Sequence, residues 1–184
     1  MENNIEKKKA GLLQHTMANA VIIAIALIIS SMVFFLTEKS QSPVNTVIVV
    51  IIILAGLVYS IKAYRNESLD GYISYGQSFG YSALISLFAG IIIGIYTFVF
   101  LSYVSPDIFE DLKQTAILQT EQTMFEANPN ITDAELDTII DFQLRFMTPT
   151  VMSIGSIAST TIIGLLLGLI VSIFLQRKNP EPFS

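Results

Sequence analysis

His15, the only histidine of the chain, is the first side chain whose chemistry could matter, because imidazole changes charge near neutral pH. Asn19 follows four residues later and would share a helix face with it. Gln77 and Tyr81 enter another apolar stretch at a similar depth. We therefore predict a polar cluster of His15, Asn19, Gln77 and Tyr81 at one boundary of the bilayer. Interhelical hydrogen bonding or interfacial solvation explains it more simply than a substrate or proton site does.

Carboxylates are concentrated in residues 107–146, which hold nine acidic and two basic residues and so carry a net charge of −7. Clustered carboxylates can bind calcium, but the spacing matches no EF-hand loop with its central glycine. Asp133, Asp137 and Asp141 are four apart, which more simply gives a solvated helix face. We expect no metal site and no cofactor.

No catalytic set can be assembled from the remaining residues. The chain has no cysteine, which excludes disulfides, thiolate metal sites and thiol catalysis. A single histidine without an HExxH or comparable motif makes no zinc site. The few basic residues make no nucleic-acid footprint. We therefore expect a protein that is not an enzyme and does not bind nucleic acid.

Small residues recur every fourth position in two long apolar stretches, which places each series along one stripe of a helix. The first series is Ser78, Ser82, Ser86, Gly90 and Gly94, and the second is Ser156, Thr160, Gly164, Gly168 and Ser172. Close backbone approach at small residues holds membrane helices together. We predict that the two stripes pack against each other within one chain; packing between chains is the alternative.

These residues must be positioned by membrane helices, because 52% of the 184 residues are hydrophobic and only 14% are charged. Four apolar runs are long enough to cross a bilayer: residues 12–36, 44–61, 78–104 and 149–175. The basic start resembles a signal peptide, but its small-x-small patterns lie inside the run rather than after it. We predict an all-α fold, a single four-span domain over residues 1–184 with residues 107–146 as an insertion.

The insertion is predicted to be a helical hairpin. A helix over 107–126 is followed by a turn at Asn128-Pro129-Asn130. Thr132 and Glu135 then fit a capping box that starts a second helix. An apolar stripe follows on that helix: Leu136, Ile139, Ile140 and Leu144. We expect it to cap the membrane bundle; lying on the membrane surface or meeting a partner are the alternatives.

The distribution of basic residues predicts the orientation. With the N-terminus inside, seven basic residues are cytoplasmic: Lys7, Lys8, Lys9, Lys62, Arg65, Arg177 and Lys178. Three are outside: Lys39, Lys113 and Arg145. We therefore expect both termini in the cytoplasm and the acidic hairpin outside.

The connector before the third span, Gly71-Tyr-Ile-Ser-Tyr-Gly-Gln-Ser-Phe-Gly80, resembles a signature of the domain-of-unknown-function family numbered 4199. The order of parts is similar as well: a basic start, two spans, this connector, a long third span, an acidic segment and a final span. The resemblance implies a small four-span protein of the bacterial inner membrane. It implies no activity and no catalytic residues.

Our leading hypothesis is a non-enzymatic accessory or regulatory membrane subunit that acts through helix packing and protein contacts. No acidic or basic residue lies deep within the four apolar runs, which argues against an ion-coupled carrier. The alternative is a small homo-oligomeric channel or passive transporter, in which the polar stripes would line a path. The partners expected are the lipid bilayer and either another membrane protein or further copies of this chain.

Overall fold

The computed structural model describes residues 2–37 and 42–177, with side chains from residue 11 onward. It is all-helical over these residues, which confirms the predicted fold class. The helices are α1 (Glu2–Leu36), α2 (Pro43–Ser68), α3 (Tyr75–Val99), a π-helical segment (Phe100–Val104), α4 (Pro106–Ala127), α5 (Asp133–Phe146) and α6 (Pro149–Leu175). The side chains of Lys7, Lys8 and Lys9, and all of Lys39 and Lys178, lie outside the described residues.

Four of the helical stretches are long and apolar enough to cross a membrane, with mean hydropathies between 2.4 and 2.6: Gly11–Leu36, Pro43–Ser68, Tyr75–Val104 and Pro149–Leu175. Each leaves large apolar side chains uncovered, among them Ile22, Ile51, Ile95 and Phe174. A water-soluble protein rarely exposes apolar surface on this scale, whereas lipid covers it at no cost. The chain is a multi-pass membrane protein.

The fourth predicted span has the bounds of α6, whereas the second was predicted too short. Helix α2 continues from the predicted end at residue 61 to Ser68. Lys62 and Arg65 end the apolar run but are good helix formers, so the helix extends beyond the membrane-like stretch. Pro43 stands in the first turn, where its missing N–H costs nothing, and the Ser42 hydroxyl accepts from Val44 N–H.

The described residues up to Ile93, together with those from Ile157 onward, form one compact unit. Its core lies between α1, α2 and the adjoining parts of α3 and α6, and it includes Ala20, Leu57, Tyr81 and Val171. Helices α1 and α2 approach at Gly56, where an added Cβ would lie 2.5 Å from Ile23 Cγ1. The absence of a side chain at Gly56 thus lets the bulky Ile23 of α1 pack against α2.

The α2–α3 connector is tied to the end of α6 in this unit. Ile73 N–H donates to Arg177 O at 3.0 Å, and Arg177 N–H donates to Ile73 O at 2.8 Å. Arg65 Nη1 donates to Leu175 O at 3.4 Å, which satisfies one of the carbonyls left free at the helix end. The connector turns through left-handed backbone at Asp70 and Gly71, with φ of 51° and 84°.

Residues 94–156 form the second compact unit. Helix α3 ends in the π-helical segment, closed by a bond from Ser105 N–H to Phe100 O, and α4 begins at Pro106. The predicted capping box at the start of α5 is confirmed: Thr132 Oγ1 accepts from Glu135 N–H, and Glu135 Oε2 accepts from Thr132 N–H. The Thr132 hydroxyl also donates to Glu135 Oε2, at 2.9 Å. The bonds that this carboxylate accepts from the N–H and the hydroxyl of Thr132 lower the pKa of Glu135, because they stabilise its charged form.

Candidate functional site

The two small-residue series face each other where α3 and α6 lie in the first unit. A Cβ added at Gly168 would meet Ser82 Oγ, and one added at Gly164 would meet Ser86 Oγ. The step from Ser82 to Ser86 along α3 therefore corresponds to a step of four residues in the opposite direction along α6, so the two helices pack antiparallel. A glycine stands opposite a serine at both levels, so the serine side chains occupy the space that the glycines leave.

The end of α3 and the start of α6 are also in contact in the second unit, where each bond joins one member of a series to a residue outside the other series. Ser153 Oγ donates to Gly94 O at 2.7 Å, and Thr97 Oγ1 donates to Ser156 Oγ at 3.3 Å. Nine of the ten residues in the two series are buried, and Ser156 is half-buried. We call this contact the α3–α6 interface.

Two hydroxyls of the α3–α6 interface on α3 are bonded within their own helix. Ser86 Oγ donates to Ser82 O and Ser82 Oγ to Phe79 O, each at 2.8 Å. The buried Oγ atoms of Ser78 and Ser172 have no partner among the described residues. The register puts these two serines at the same level, next to the end of the interface.

Three of the four residues of the predicted polar cluster come together. His15 Nδ1 lies 2.7 Å from the Tyr81 hydroxyl. Asn19 Nδ2 lies 2.9 Å from His15 Nδ1 and 3.1 Å from the same hydroxyl. Gln77 does not join them, because its Oε1 accepts from Ser74 N–H at 3.0 Å and so caps the start of α3.

Two members of this cluster were not foreseen. Glu67 Oε2 lies 3.0 Å from His15 Nε2, on the side opposite Tyr81. The Tyr64 ring stacks on the Tyr81 ring, with centroids 4.3 Å apart and planes 16° apart. We call His15, Asn19, Tyr64, Glu67 and Tyr81 the His15 cluster. It connects α1, α2 and α3 through side chains alone.

An open cleft of about 540 Å³ adjoins the His15 cluster. Leu12, Tyr64 and Tyr81 form part of its wall, and Gly76 and Gly80 leave space on α3, where an added Cβ would meet nothing within 4 Å. Gln77 also lines this cleft, so it lies near the cluster without bonding to it. Over the part of the chain with described side chains, no three His, Asp or Glu residues are grouped so that they could hold a metal ion.

Helices α4 and α5 form a pair in the second unit, joined by a bond of 2.6 Å from Thr120 Oγ1 to Gln143 Oε1. Between them lies an apolar trough of about 570 Å³, which we call the α4–α5 trough. Met124, Ile131 and Ile139 line it, and Glu135 stands at its edge. Asp133, Asp137 and Asp141 are all exposed on α5, as the spacing predicted.

Residues 18–177 match a family described as protein of unknown function, DUF4199. The chain belongs to this family. No curated protein and no solved structure matches the chain. The family match covers all four membrane helices apart from the first part of α1, and it includes the whole of the His15 cluster except His15 itself.

Proposed function

We propose that this DUF4199 protein is a non-enzymatic accessory or regulatory subunit of the bacterial inner membrane, acting through contacts with another protein. Both termini lie in the cytoplasm in this proposal, and the α4–α5 pair lies outside. The orientation is supported by the placement of three cations at one end of the first unit. Lys62 and Arg65 stand near the end of α2, and Arg177 is bridged to the connector that follows α2.

The observation that carries the proposal is the filling of the α3–α6 interface. A channel built from the polar stripes needs Ser82, Ser86 and Thr160 to face water. Ser82 and Ser86 are instead buried over Gly168 and Gly164, and Thr160 is buried as well. The hydroxyls that could line a path are thus used in contact between two helices of the same chain.

The α4–α5 trough is the surface we assign to the partner. Its floor is apolar, and residues 107–146 around it carry a net charge of −7. This charge repels a second copy of the same surface and an anionic lipid headgroup alike. It attracts an amphipathic segment that places apolar side chains in the trough and lysine or arginine side chains against the acidic rim. We therefore propose a basic amphipathic segment of another protein as the occupant.

The test is the mass and composition of the native complex after gentle solubilisation. We expect a stoichiometric foreign partner that dissociates as salt is raised, because ionic attraction is screened. Met124→Asp should abolish the association, since it puts a charge on the floor of the trough. Leu118→Asp is the control: it also replaces an apolar side chain of α4 by a carboxylate, but at a position that is 64% exposed and does not line the trough.

A pure homo-oligomer would overturn the proposal and favour the homo-oligomeric channel. Thiol labelling then decides between the two, because the chain has no cysteine of its own. A water-soluble reagent should fail to label Ser82→Cys and Ser86→Cys in membranes while labelling the exposed control Asp137→Cys. Labelling of the two serine positions at the rate of the control would instead indicate a water-filled path.

A further inference from the structure

Two phenylalanines at the end of α5 leave most of their surface uncovered. Phe142 is 64% exposed and Phe146 is 55% exposed. They stand one helical turn apart, and their rings meet edge to face with centroids 5.1 Å apart. The two rings form one aromatic surface, which we call the Phe142–Phe146 patch.

The patch lies next to the membrane span of α6, within the second unit. Phe146 and Pro149 are three residues apart, a distance of at most about 10 Å for an extended chain. A bond from Thr148 N–H to Phe146 O at 3.1 Å folds this link and shortens it. The apolar stretch that begins at Pro149 exposes Ile154 to lipid. Phe146 therefore lies at the boundary where the chain enters the bilayer.

The carboxylates of α5 stand on the side of the helix opposite to the patch. Asp133 precedes Phe142 by nine residues. Asp137 precedes Phe146 by nine residues as well. Nine residues make about two and a half turns, so each aspartate points away from its phenylalanine, and both aspartates are exposed. The apolar side of α5 can thus contact lipid while its acidic side stays in water.

We propose that the Phe142–Phe146 patch lies in the interfacial layer of the bilayer and holds the end of α5 against phospholipid. The patch is continuous with lipid-covered surface, because the chain runs from it into the membrane span of α6. Arg145, exposed in the last turn of α5, is placed to contact a lipid phosphate. It forms no ion pair with any described residue, whereas Lys113 is paired with Glu110 at 2.8 Å.

The start of α5 stays outside lipid in this arrangement. Glu135 is eleven residues from Phe146, about 16 Å along the helix. Its lowered pKa keeps the carboxylate charged, and a charged group opposes entry into lipid. The α4–α5 trough beside Glu135 therefore remains accessible to the proposed partner. The inference goes beyond the proposed function, since lipid contact needs no second protein and holds for either orientation of the chain.

The test uses the fact that the chain has no tryptophan. Phe142→Trp and Phe146→Trp each place one fluorescent reporter in the patch. Phe125→Trp is the control, at another exposed phenylalanine, which lies about midway between the membrane spans along the chain. Each full-length variant is placed as a single copy in nanodiscs of phosphatidylcholine, with the acyl chains either brominated near the headgroup or unmodified.

We expect brominated lipid to quench the two patch variants by about half, because an interfacial ring lies at the acyl boundary. The control should be unaffected by brominated lipid and should be quenched more strongly by aqueous iodide than either patch variant. Equal iodide quenching of Phe146→Trp and Phe125→Trp, with no effect of brominated lipid, would overturn the proposal. A patch shielded from iodide but not quenched by brominated lipid would overturn it as well, because the chain itself would then cover the rings.

A second experiment measures what the contact does for α5. Phe142→Ser with Phe146→Ser should speed amide hydrogen exchange in residues 140–146 by about threefold in nanodiscs, since the end of the helix loses its contact with lipid. Leucine at both positions keeps the apolar surface without the ring contact, and should retain the natural rate. The control pair Leu118→Ser with Phe125→Ser changes two exposed apolar side chains of α4 and should also leave this rate unchanged. An equal effect of the two serine pairs, or no effect of the first, would contradict the lipid contact.

Discussion

Gly164 is the position where the α3–α6 interface is least able to accept a side chain. A Cβ added there would overlap Ser86 Oγ and Cβ and would lie 3.6 Å from Ser86 Cα. Ser86 is 3% exposed, and its hydroxyl donates to Ser82 O at 2.8 Å. The serine therefore cannot turn away without breaking that bond. We predict that Gly164→Ala forces α3 and α6 apart.

The magnitude follows from two opposing effects. Inserting a methyl group into a packed interface costs about 1–3 kcal/mol. Alanine is a better helix former than glycine by about 1 kcal/mol, which offsets part of this cost. The free energy of unfolding should therefore fall by up to about 2 kcal/mol, and by about 1–3 kcal/mol relative to a glycine-to-alanine change on the same helix that meets nothing. Gly164→Leu, with its larger side chain, should cost more than Gly164→Ala.

The assay is reversible unfolding of the full chain by SDS in mixed micelles, followed by far-UV circular dichroism. Gly155→Ala is the matched control on the same helix, because a Cβ added at Gly155 would meet nothing within 4 Å. This control should be neutral or slightly stabilising. The double variant Gly164→Ala with Ser86→Gly exchanges the small and the larger residue across the interface, and it should recover most of the lost stability.

Two results would refute this account of the interface. The first is a Gly164→Ala protein as stable as the Gly155→Ala protein, which would mean that the glycine is not needed for close approach. The second is a double variant no more stable than Gly164→Ala alone, which would mean that Ser86 is not the side chain that the new methyl group displaces.

Three further predictions concern the second unit. Thr132→Ala should lower the stability of α5 by about 1 kcal/mol and speed amide exchange in residues 133–146, because it removes the hydroxyl cap. Since the bonds from Thr132 lower the pKa of the Glu135 carboxyl, their contribution is present above the ordinary carboxyl pKa and is lost as pH falls below it. Thr132→Ala keeps the backbone N–H bond, which is the larger cause of the lowered pKa, and removes only the hydroxyl bond. The natural chain should therefore lose amide protection in α5 on acidification somewhat more steeply than Thr132→Ala, and equal slopes would mean that the hydroxyl bond contributes nothing. Protease added outside cells stripped of their outer barriers should cut within residues 107–145 and spare an N-terminal tag; loss of the tag would reverse the proposed orientation.

Hydropathy and spacing predicted the membrane helices because lipid imposes a simple length and composition requirement on each. They placed the end of α2 too early, since hydropathy marks where the chain leaves lipid rather than where the helix ends. The two small-residue series indicated a helix contact, but a repeat of four fits several registers that differ by four residues. Only the pairing of Ser82 with Gly168 and Ser86 with Gly164 in the structure selects one.

The His15 cluster could be predicted only in part, because spacing shows which residues share a helix face but not which helices meet. His15 and Asn19 share a helix face, which spacing alone establishes. Glu67 lies 52 residues from His15 along the chain, and the two meet only because the end of α2 packs beside α1. Gln77 had a nearer partner in Ser74, and a local cap at a helix start prevails over a distant bond because it needs no helix packing.

The bonds of Ser82 and Ser86 within α3 bear on how this chain is made. Helix α6 is translated some 60 residues after the interface positions of α3, so α3 must enter the bilayer before its packing partner exists. An unpaired hydroxyl in hydrocarbon would oppose that insertion. Both hydroxyls already donate to carbonyls of α3 itself. Helix α3 can therefore lie in lipid before α6 is inserted, without an unsatisfied donor at these two positions. The later insertion of α6 adds packing, and these two hydroxyls do not depend on it for a hydrogen bond.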